Sequence, residues 1–426
     1  MSAIGERIGA ICGYERRLAG TDAERRLTNA LAAELEAAGM RVAVEPSWVH
    51  PQWALAHMLH CLLAIAGSIV AAGAPVVGFA LVLTAATSAY LDLSGRAHLL
   101  RRLLFRRASQ NLLARGPGAD ADADRVIVCA NVDAPRTGAV YNPAPMRLLD
   151  AAARRLGVVA APTRIWFWSI ALLLLPIGAR MAGLEASWLD YVQLVPTLIL
   201  VGASFALGEI ALSPAAPGAN ANASGVAAAL ETIRLLGADP PRGLAVELLL
   251  IGGGETTMEG MGAFLRAHRR DLDRARVRFV SFESVGRGAP RYALSGGLAV
   301  SLPLDPGLAA ACEAAGGDEN AAGPIRDARI TAAIVARAHR FRAIAITCRE
   351  PGHALPVGHH TPGDRPETVD GAAVRAAAAL AAGAIRLLGR DREPAGAPEA
   401  AKPLGRAAGG PGPAASAGRP QGPPPA

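Results

Sequence analysis

Five short segments carry the residues that could do chemistry. Val128–Gly138 (VCANVDAPRTG) is an apolar run entering a loop, with Asn131 and Asp133 at its end. Pro217–Val226 (PGANANASGV) reads as a turn that opens a helix. Ile251–Met261 (IGGGETTMEGM) sets Glu255 behind a glycine run, and Phe282–Arg287 (FESVGR) puts Glu283 at a strand end. His359–Asp364 (HHTPGD) follows a further apolar strand. Taken singly, each has an ordinary explanation as a cap, a turn or a surface charge. Their order matters more, because acids and histidines at successive strand ends converge on one edge of an α/β sheet, where sites form.

The elements that would position them can be read from texture. Arg125–Val132, Ala245–Ile251, Arg278–Phe282 and Ala343–Cys348 are short apolar runs rich in β-branched residues, as strands are. Helical stretches over Ser224–Leu236, Met258–His268 and Gly371–Leu388 alternate with them. The expected fold is therefore α/β, with a mixed, mostly parallel central sheet flanked by helices. Upstream, Thr21 and Glu24 suggest a capped helix through Leu27, Leu31 and Leu35, closed by Gly39 and followed by a strand at Arg41–Glu45.

Two apolar blocks interrupt this pattern. Trp53 to Leu91 contains no Asp, Glu, Lys or Arg, and Gly73, Ala74 and Pro75 divide it into two halves of membrane-crossing length. His57 and His60, near a helix end, read as structural. Arg96, Arg101, Arg102, Arg106 and Arg107 follow, which places that flank on the cytoplasmic side. A second pair, Ile165–Ala179 and Tyr191–Gly208, has Trp166, Trp168, Trp188 and Tyr191 near its ends, with Arg154, Arg155 and Arg164 ahead of it. The expected layout is an α/β core in three parts (1–52, 93–163 and 212–392) with transmembrane hairpins inserted at 53–92 and 164–211. A Pro/Gly/Ala tail over 393–426 is expected to be disordered.

Composition agrees with a membrane protein rather than a nucleic-acid binder. Of the 426 residues 51% are hydrophobic and the net charge is +7, yet aromatic residues are only 4%, too few for base-stacking platforms. Five unpaired-looking cysteines, with no C-x-x-C, suit a reducing compartment. Glu6, Arg16 and Arg17 argue against a signal peptide. The expected location is the inner (cytoplasmic) membrane with the soluble part in the cytoplasm. The expected partners are the lipid bilayer and a peptide or protein of unknown identity, with no nucleic acid and no nucleotide cofactor.

In their order, the five segments resemble the two-zinc aminopeptidases of peptidase family M28, the group that includes the transferrin-receptor ectodomain. The phrases RRLAGTDAE (Arg16–Glu24) and SQNLLAR (Ser109–Arg115) also look like that family's lead-in. The resemblance implies a zinc-exopeptidase-like fold and a paired-metal site in which a carboxylate takes the proton of a metal-held water. Carried over position by position, the first histidine ligand falls on Asn131 and its orienting aspartate on Asp133. The bridging aspartate falls on Ala221, the general base on Gly254 and a metal-binding glutamate on Glu255. The strand-end acid falls on Glu283 and the last histidine on His360. Asn220 and Asn222 flank Ala221, but moving either into its place breaks the match. Asn131, Ala221 and Gly254 thus lose two ligands and the base. The resemblance leads to the expectation of a degenerate site that holds zinc weakly or not at all, in a membrane-anchored chain that binds or scaffolds. The alternative is an active peptidase or amidohydrolase with a rearranged single-metal site.

Overall fold

A computed structural model describes residues 3–116, 123–158, 161–316 and 323–390. The 393–426 tail expectation lies outside the described residues.

The N-terminal part forms α1 (Ala3–Cys12), α2 (Asp22–Ala37) and β1 (Arg41–Val49). Thr21 caps α2 by accepting the Glu24 N–H at 3.4 Å, and Leu27, Leu31 and Leu35 are buried at helical spacing. Two apolar helices follow, α3 (Trp53–Val70) and α4 (Pro75–Leu93). Next come β2 (Arg107–Arg115), β3 (Asp124–Asn131), α5 (Pro143–Leu156), and a second apolar pair, α6 (Pro162–Met181) and α7 (Trp188–Leu212). The remainder alternates: α8 (Ser224–Ala238), β4 (Leu244–Ile251), α9 (Glu259–Ala267), β5 (Val277–Phe282), β6 (Ala289–Gly296), β7 (Leu302–Pro303), α10 (Pro306–Gly316), β8 (Gly323–Arg326), α11 (Ala332–Ala338), β9 (Arg342–Arg349) and α12 (Gly371–Arg390).

The strands form one mixed sheet in the order β1-β2-β4-β3-β5-β9-β6-β7, with β8 beside β6. The central four, β4, β3, β5 and β9, run parallel. Their side chains are buried on both faces, which explains their near-continuous apolar composition. Parallel neighbours end together, so Asn131, Ile251 and Phe282 deliver their following loops to one rim of the sheet. Helices α8, α10 and α12 pack on one another, and α9 packs with α11.

The four apolar helices α3, α4, α6 and α7 bundle around a second core that includes Cys61, Val82, Ile170, Leu173 and Leu200. Glycines let α3 and α4 approach closely. A Cβ on Gly67 would sit 2.9 Å from the Gly78 carbonyl oxygen, and one on Gly78 would sit 2.5 Å from the Ala71 Cβ. Close backbone approach through small residues is how helices pack in lipid. The outer surface of the bundle is apolar, with Ile69, Val76, Leu175, Val195, Leu198 and Phe205 exposed.

The second pair is longer than its charge-free runs. Helix α6 starts before Arg164 and continues through Arg180, and α7 includes Asp190 and Glu209. The end charges are answered locally: Arg180 meets Asp190 at 2.5 Å, and Arg164 donates to the Gly297 carbonyl at 2.8 Å. A fifth helix, Gly371–Gly389 within α12, is also long and apolar enough to cross a membrane. Its apolarity serves the α/β core instead: Val374, Ala377, Ala378, Ala381 and Ile385 are buried there.

A buried ion network ties the bundle to the sheet. The Arg101 guanidinium grips Asp92, at the end of α4, through two bonds of 2.9 and 2.5 Å. It also donates to the Thr256 carbonyl at 2.8 Å and lies 3.5 Å from Glu259, at the start of α9. Both partners of each pair are almost fully buried. Both cores fall in one compact unit, Met1–Asp391.

Candidate functional site

The segments read from sequence converge at the rim where β3, β4, β5 and β9 end. A cleft with about 770 Å³ of empty space lies there, lined by Ala221, Gly254, Glu255, Glu283, Arg329, His359 and His360. Trp53 and His57 of α3, Leu93 of α4, and Pro162 and Thr163 of α6 supply another part of its wall. The apolar helices therefore form part of the enclosure.

Each side chain is held by a specific contact. Asn131 closes β3 and donates its amide to Glu255 Oε1 at 3.2 Å. Asp133 turns its carboxylate onto the next loop and accepts the Gly254 and Glu255 N–H groups at 2.7 and 2.9 Å. It therefore fixes that loop in place. Burial, reinforced by the charges of Glu24 and Glu255, pushes the Asp133 carboxyl well above the usual range, against the pull of the two N–H donors. Gly254 sits hard against Asn131, where a Cβ would lie 2.3 Å from the Asn131 Cβ.

Ala221 lies in a single π turn, Ala219–Ala223. The Asp364 carboxylate accepts the Asn220 and Ala221 N–H groups at 2.6 and 3.0 Å, fastening that turn to the His359–Asp364 loop. Both flanking asparagines are engaged. The Asn220 side-chain oxygen accepts the Gly286 N–H at 2.7 Å. Asn222 donates to the Asp133 carbonyl and accepts from Arg17 at 2.7 Å.

Glu283 is buried beyond β5, and burial pushes its carboxyl well above the usual range, with the nearby Arg329 guanidinium opposing. Arg329 is itself committed to Asp327 at 2.7 Å and to the Ser284 hydroxyl at 3.0 Å. His360 adopts φ +54°, left-handed backbone that non-glycine residues seldom enter, and its carbonyl accepts the Gly138 N–H at 3.2 Å. Its Nε2 lies 3.3 Å from Glu255 Oε2. The His359 ring stacks on it at 3.7 Å, and the Tyr141 ring meets it edge-on at 4.9 Å. Burial pushes the His359 imidazole well down, with His360 adding to that, so it is neutral.

The lead-in phrases gain a physical role. Glu24 accepts the Gly253 N–H at 2.8 Å and the Ser109 hydroxyl at 2.9 Å. Asn111 accepts the Gly252 N–H at 3.1 Å and donates to the Gly260 carbonyl at 3.0 Å. The glycine loop that carries Gly254 and Glu255 is thus held from both ends. Arg17, Glu24, Asn111 and Asp364 were not among the site residues expected from sequence. Only the lead-in phrases hinted at the first three.

The donor set fits a zinc pair poorly. Among the described residues no group of three or more His, Cys, Asp and Glu is arranged to hold a metal ion. The amide at 131 gives its N–H to Glu255, position 221 offers a methyl group, and position 254 offers no side chain. Glu255 and His360 face one another, and Glu283 would have to release its proton to ligate.

The fold places this arrangement among known proteins. The model of peptidase family M28 matches residues 205–385 of this chain. Its fold is that of the zinc exopeptidases. The zinc aminopeptidase of Bacillus subtilis matches with a TM-score of 0.52 at 11% identity, covering 90% of this chain and 94% of that one. A Zn-dependent exopeptidase from Parabacteroides distasonis matches at 0.50 and 13%, covering 90% and 97%. A glutaminyl cyclase from Porphyromonas gingivalis matches at 0.50 and 12%, covering 91% and 97%. Comparison with curated proteins gave no match. One fold thus carries a zinc aminopeptidase, a Zn-dependent exopeptidase and a glutaminyl cyclase among its structural neighbours, so chemistry must be argued from the side chains here.

Proposed function

We propose that this chain is a membrane-embedded, aminopeptidase-like module whose hydrolytic chemistry is impaired and whose cleft binds or scaffolds. The observation that carries the reading is the fate of the Glu255 carboxylate. One oxygen takes the Asn131 amide and the other faces His360, while the neighbouring base position is a glycine packed against Asn131. Two side chains at a metal position fall one short of the usual three for a catalytic zinc, and the bridging carboxylate is replaced by the Ala221 methyl. Loss of a general base alone costs roughly 10²–10⁴ in rate.

The membrane part of the reading rests on four helices of spanning length with an apolar outer surface. The Arg96–Arg107 cluster beside the first hairpin supports a cytoplasmic α/β domain by the positive-inside rule. The partners of the module are the lipid bilayer and a peptide or protein, with no nucleic acid and no nucleotide cofactor. The test is metal analysis of the purified protein together with aminopeptidase and amidase assays. Absent zinc and no turnover support the reading; stoichiometric zinc with turnover overturns it. Protease protection in inside-out and right-side-out vesicles checks the orientation.

The Glu255–His360 approach of 3.3 Å favours one second reading, a single-metal hydrolase using Glu255, His360 and either Glu283 or Asp133. On that reading His360→Ala abolishes metal content and activity together. Activity that survives the change rules it out.

A further inference from the structure

The cleft does not end at the polar rim. A second pocket, with about 680 Å³ of empty space, shares Trp53, Tyr141, Pro162 and Thr163 with it and continues between α6 and α7. No charged side chain lines this extension. Its far wall on α7 is made of Ile199, Gly202, Ala203 and Ala206, where small residues leave a groove. A Cβ on Gly202 would meet nothing within 4 Å.

His57 stands where the two spaces join. It lines the cleft, and its ring lies 5.1 Å from Trp166 and 5.9 Å from Trp53, both of which line the extension. It is 1% exposed, and neither ring nitrogen has a hydrogen-bond partner. Burying a polar ring unpaired is costly, and a neutral imidazole offers one donor and one acceptor. On the rim side, the Glu255 carboxylate and the unpartnered Nδ1 atoms of His359 and His360 add acceptors.

We propose that the two spaces form one site for an amide-headed amphiphile, with its single apolar chain in the groove of α7 and its amide at the rim. This rests on the reading of the chain as a membrane-embedded binding module and names its ligand class. An amide presents a carbonyl for the His57 donor and N–H groups for the rim acceptors, so one head group answers both sets. A fatty carboxylate would meet the Glu255 carboxylate and be repelled or forced to protonate. The chain has a physical route in, because the bundle that forms the groove has an apolar outer surface suited to lipid.

The experiment uses the full chain in phosphatidylcholine nanodiscs and hexadecanamide carrying a mid-chain diazirine. After photolysis, the label is mapped to peptides. The expected result is saturable labelling of Trp166 and of α7 around residues 199–210, displaced by hexadecanamide and not by hexadecanoate. Gly202→Phe and, separately, Ala206→Phe should reduce labelling at least tenfold, while Leu198→Phe on the outer surface leaves it unchanged. His57→Phe should raise the displacing concentration roughly tenfold. Circular dichroism and gel filtration confirm that each variant is folded. Unsaturable labelling spread over the outer surfaces of all four helices, labelling unaffected by both groove variants, or equal displacement by hexadecanoate overturns the proposal. Zinc content and peptide hydrolysis are measured on the same preparation. No zinc, no hydrolysis and no saturable label leaves the binding-module reading standing and removes this one. Stoichiometric zinc with turnover removes the reading beneath it.

Discussion

Replacing Arg101 with methionine isolates the join between the helix bundle and the sheet. The guanidinium is fully buried and holds Asp92 through two bonds, the Thr256 carbonyl through a third, and Glu259 at 3.5 Å. Methionine keeps the apolar stem but removes the guanidinium, leaving Asp92 with only His98, at 3.6 Å, and Glu259 with His50, at 2.7 Å, and His98, at 3.9 Å, as cationic partners. Breaking a buried pair from one side costs about 3–5 kcal/mol, because an uncompensated charge remains. With an unfolding entropy near 2.1 cal/mol/K per residue over roughly 370 described residues, that loss lowers the melting temperature by about 4–6 °C. A maleimide-dye melt in detergent reads it directly, since the free thiols of Cys129, Cys312 and Cys348 are buried until the α/β core opens. Neutralising the partners as well, in Arg101→Met with Asp92→Asn and Glu259→Gln, should recover most of the loss. Arg101→Lys should fall between, as it keeps the charge but not the planar fork. A single variant melting within 1 °C of the wild type, or a triple variant no better than the single, would refute the reasoning.

Three further outcomes follow from the geometry. Glu283 holds its proton more tightly folded than unfolded, where its value is 4.5, so its contribution to stability is fully present below that pH. The contribution is lost as pH rises through the raised folded value. Glu283→Gln should therefore flatten the fall of melting temperature with rising pH above 4.5, and parallel curves would count against a protonated Glu283. Gly67→Leu forces a side chain between α3 and α4 at a cost of about 1–3 kcal/mol. Cys61, buried in α3, should then react faster with N-ethylmaleimide, and an unchanged rate would mean that the helices do not meet there. Asn131→His with Ala221→Asp restores an imidazole and a bridging carboxylate beside Glu255, Glu283 and His360. Zinc content by mass spectrometry should rise above that of the wild type; no gain would show that these positions do not face a common centre.

The central strands were legible because a doubly covered parallel strand must be apolar throughout, as in Val126–Ala130 and Leu248–Ile251. The edge was less so. Strand β2 (RASQNLLAR) reads as polar because Ser109 and Asn111 point their side chains at the Glu24 and Gly252 region instead of at a core. Strand β6 contains Pro290 and Gly296, which mask it. The ends of α6 and α7 were set too short because Arg164, Arg180 and Asp190 look like stops until their partners are known. At the site, the convergence of Asn131, Glu255, Glu283 and His360 on one rim follows from strand order alone. The roles of Arg17, Glu24 and Asp364 do not, since each depends on a partner in a distant segment.

The contact between Gly254 and Asn131 limits what position 254 can carry. With a Cβ at residue 254 falling 2.3 Å from that of Asn131, any larger residue at 254 requires the backbone at the end of β3 or in the glycine loop to shift. Position 254 is thus closed to an acid for as long as the end of β3 keeps its present path.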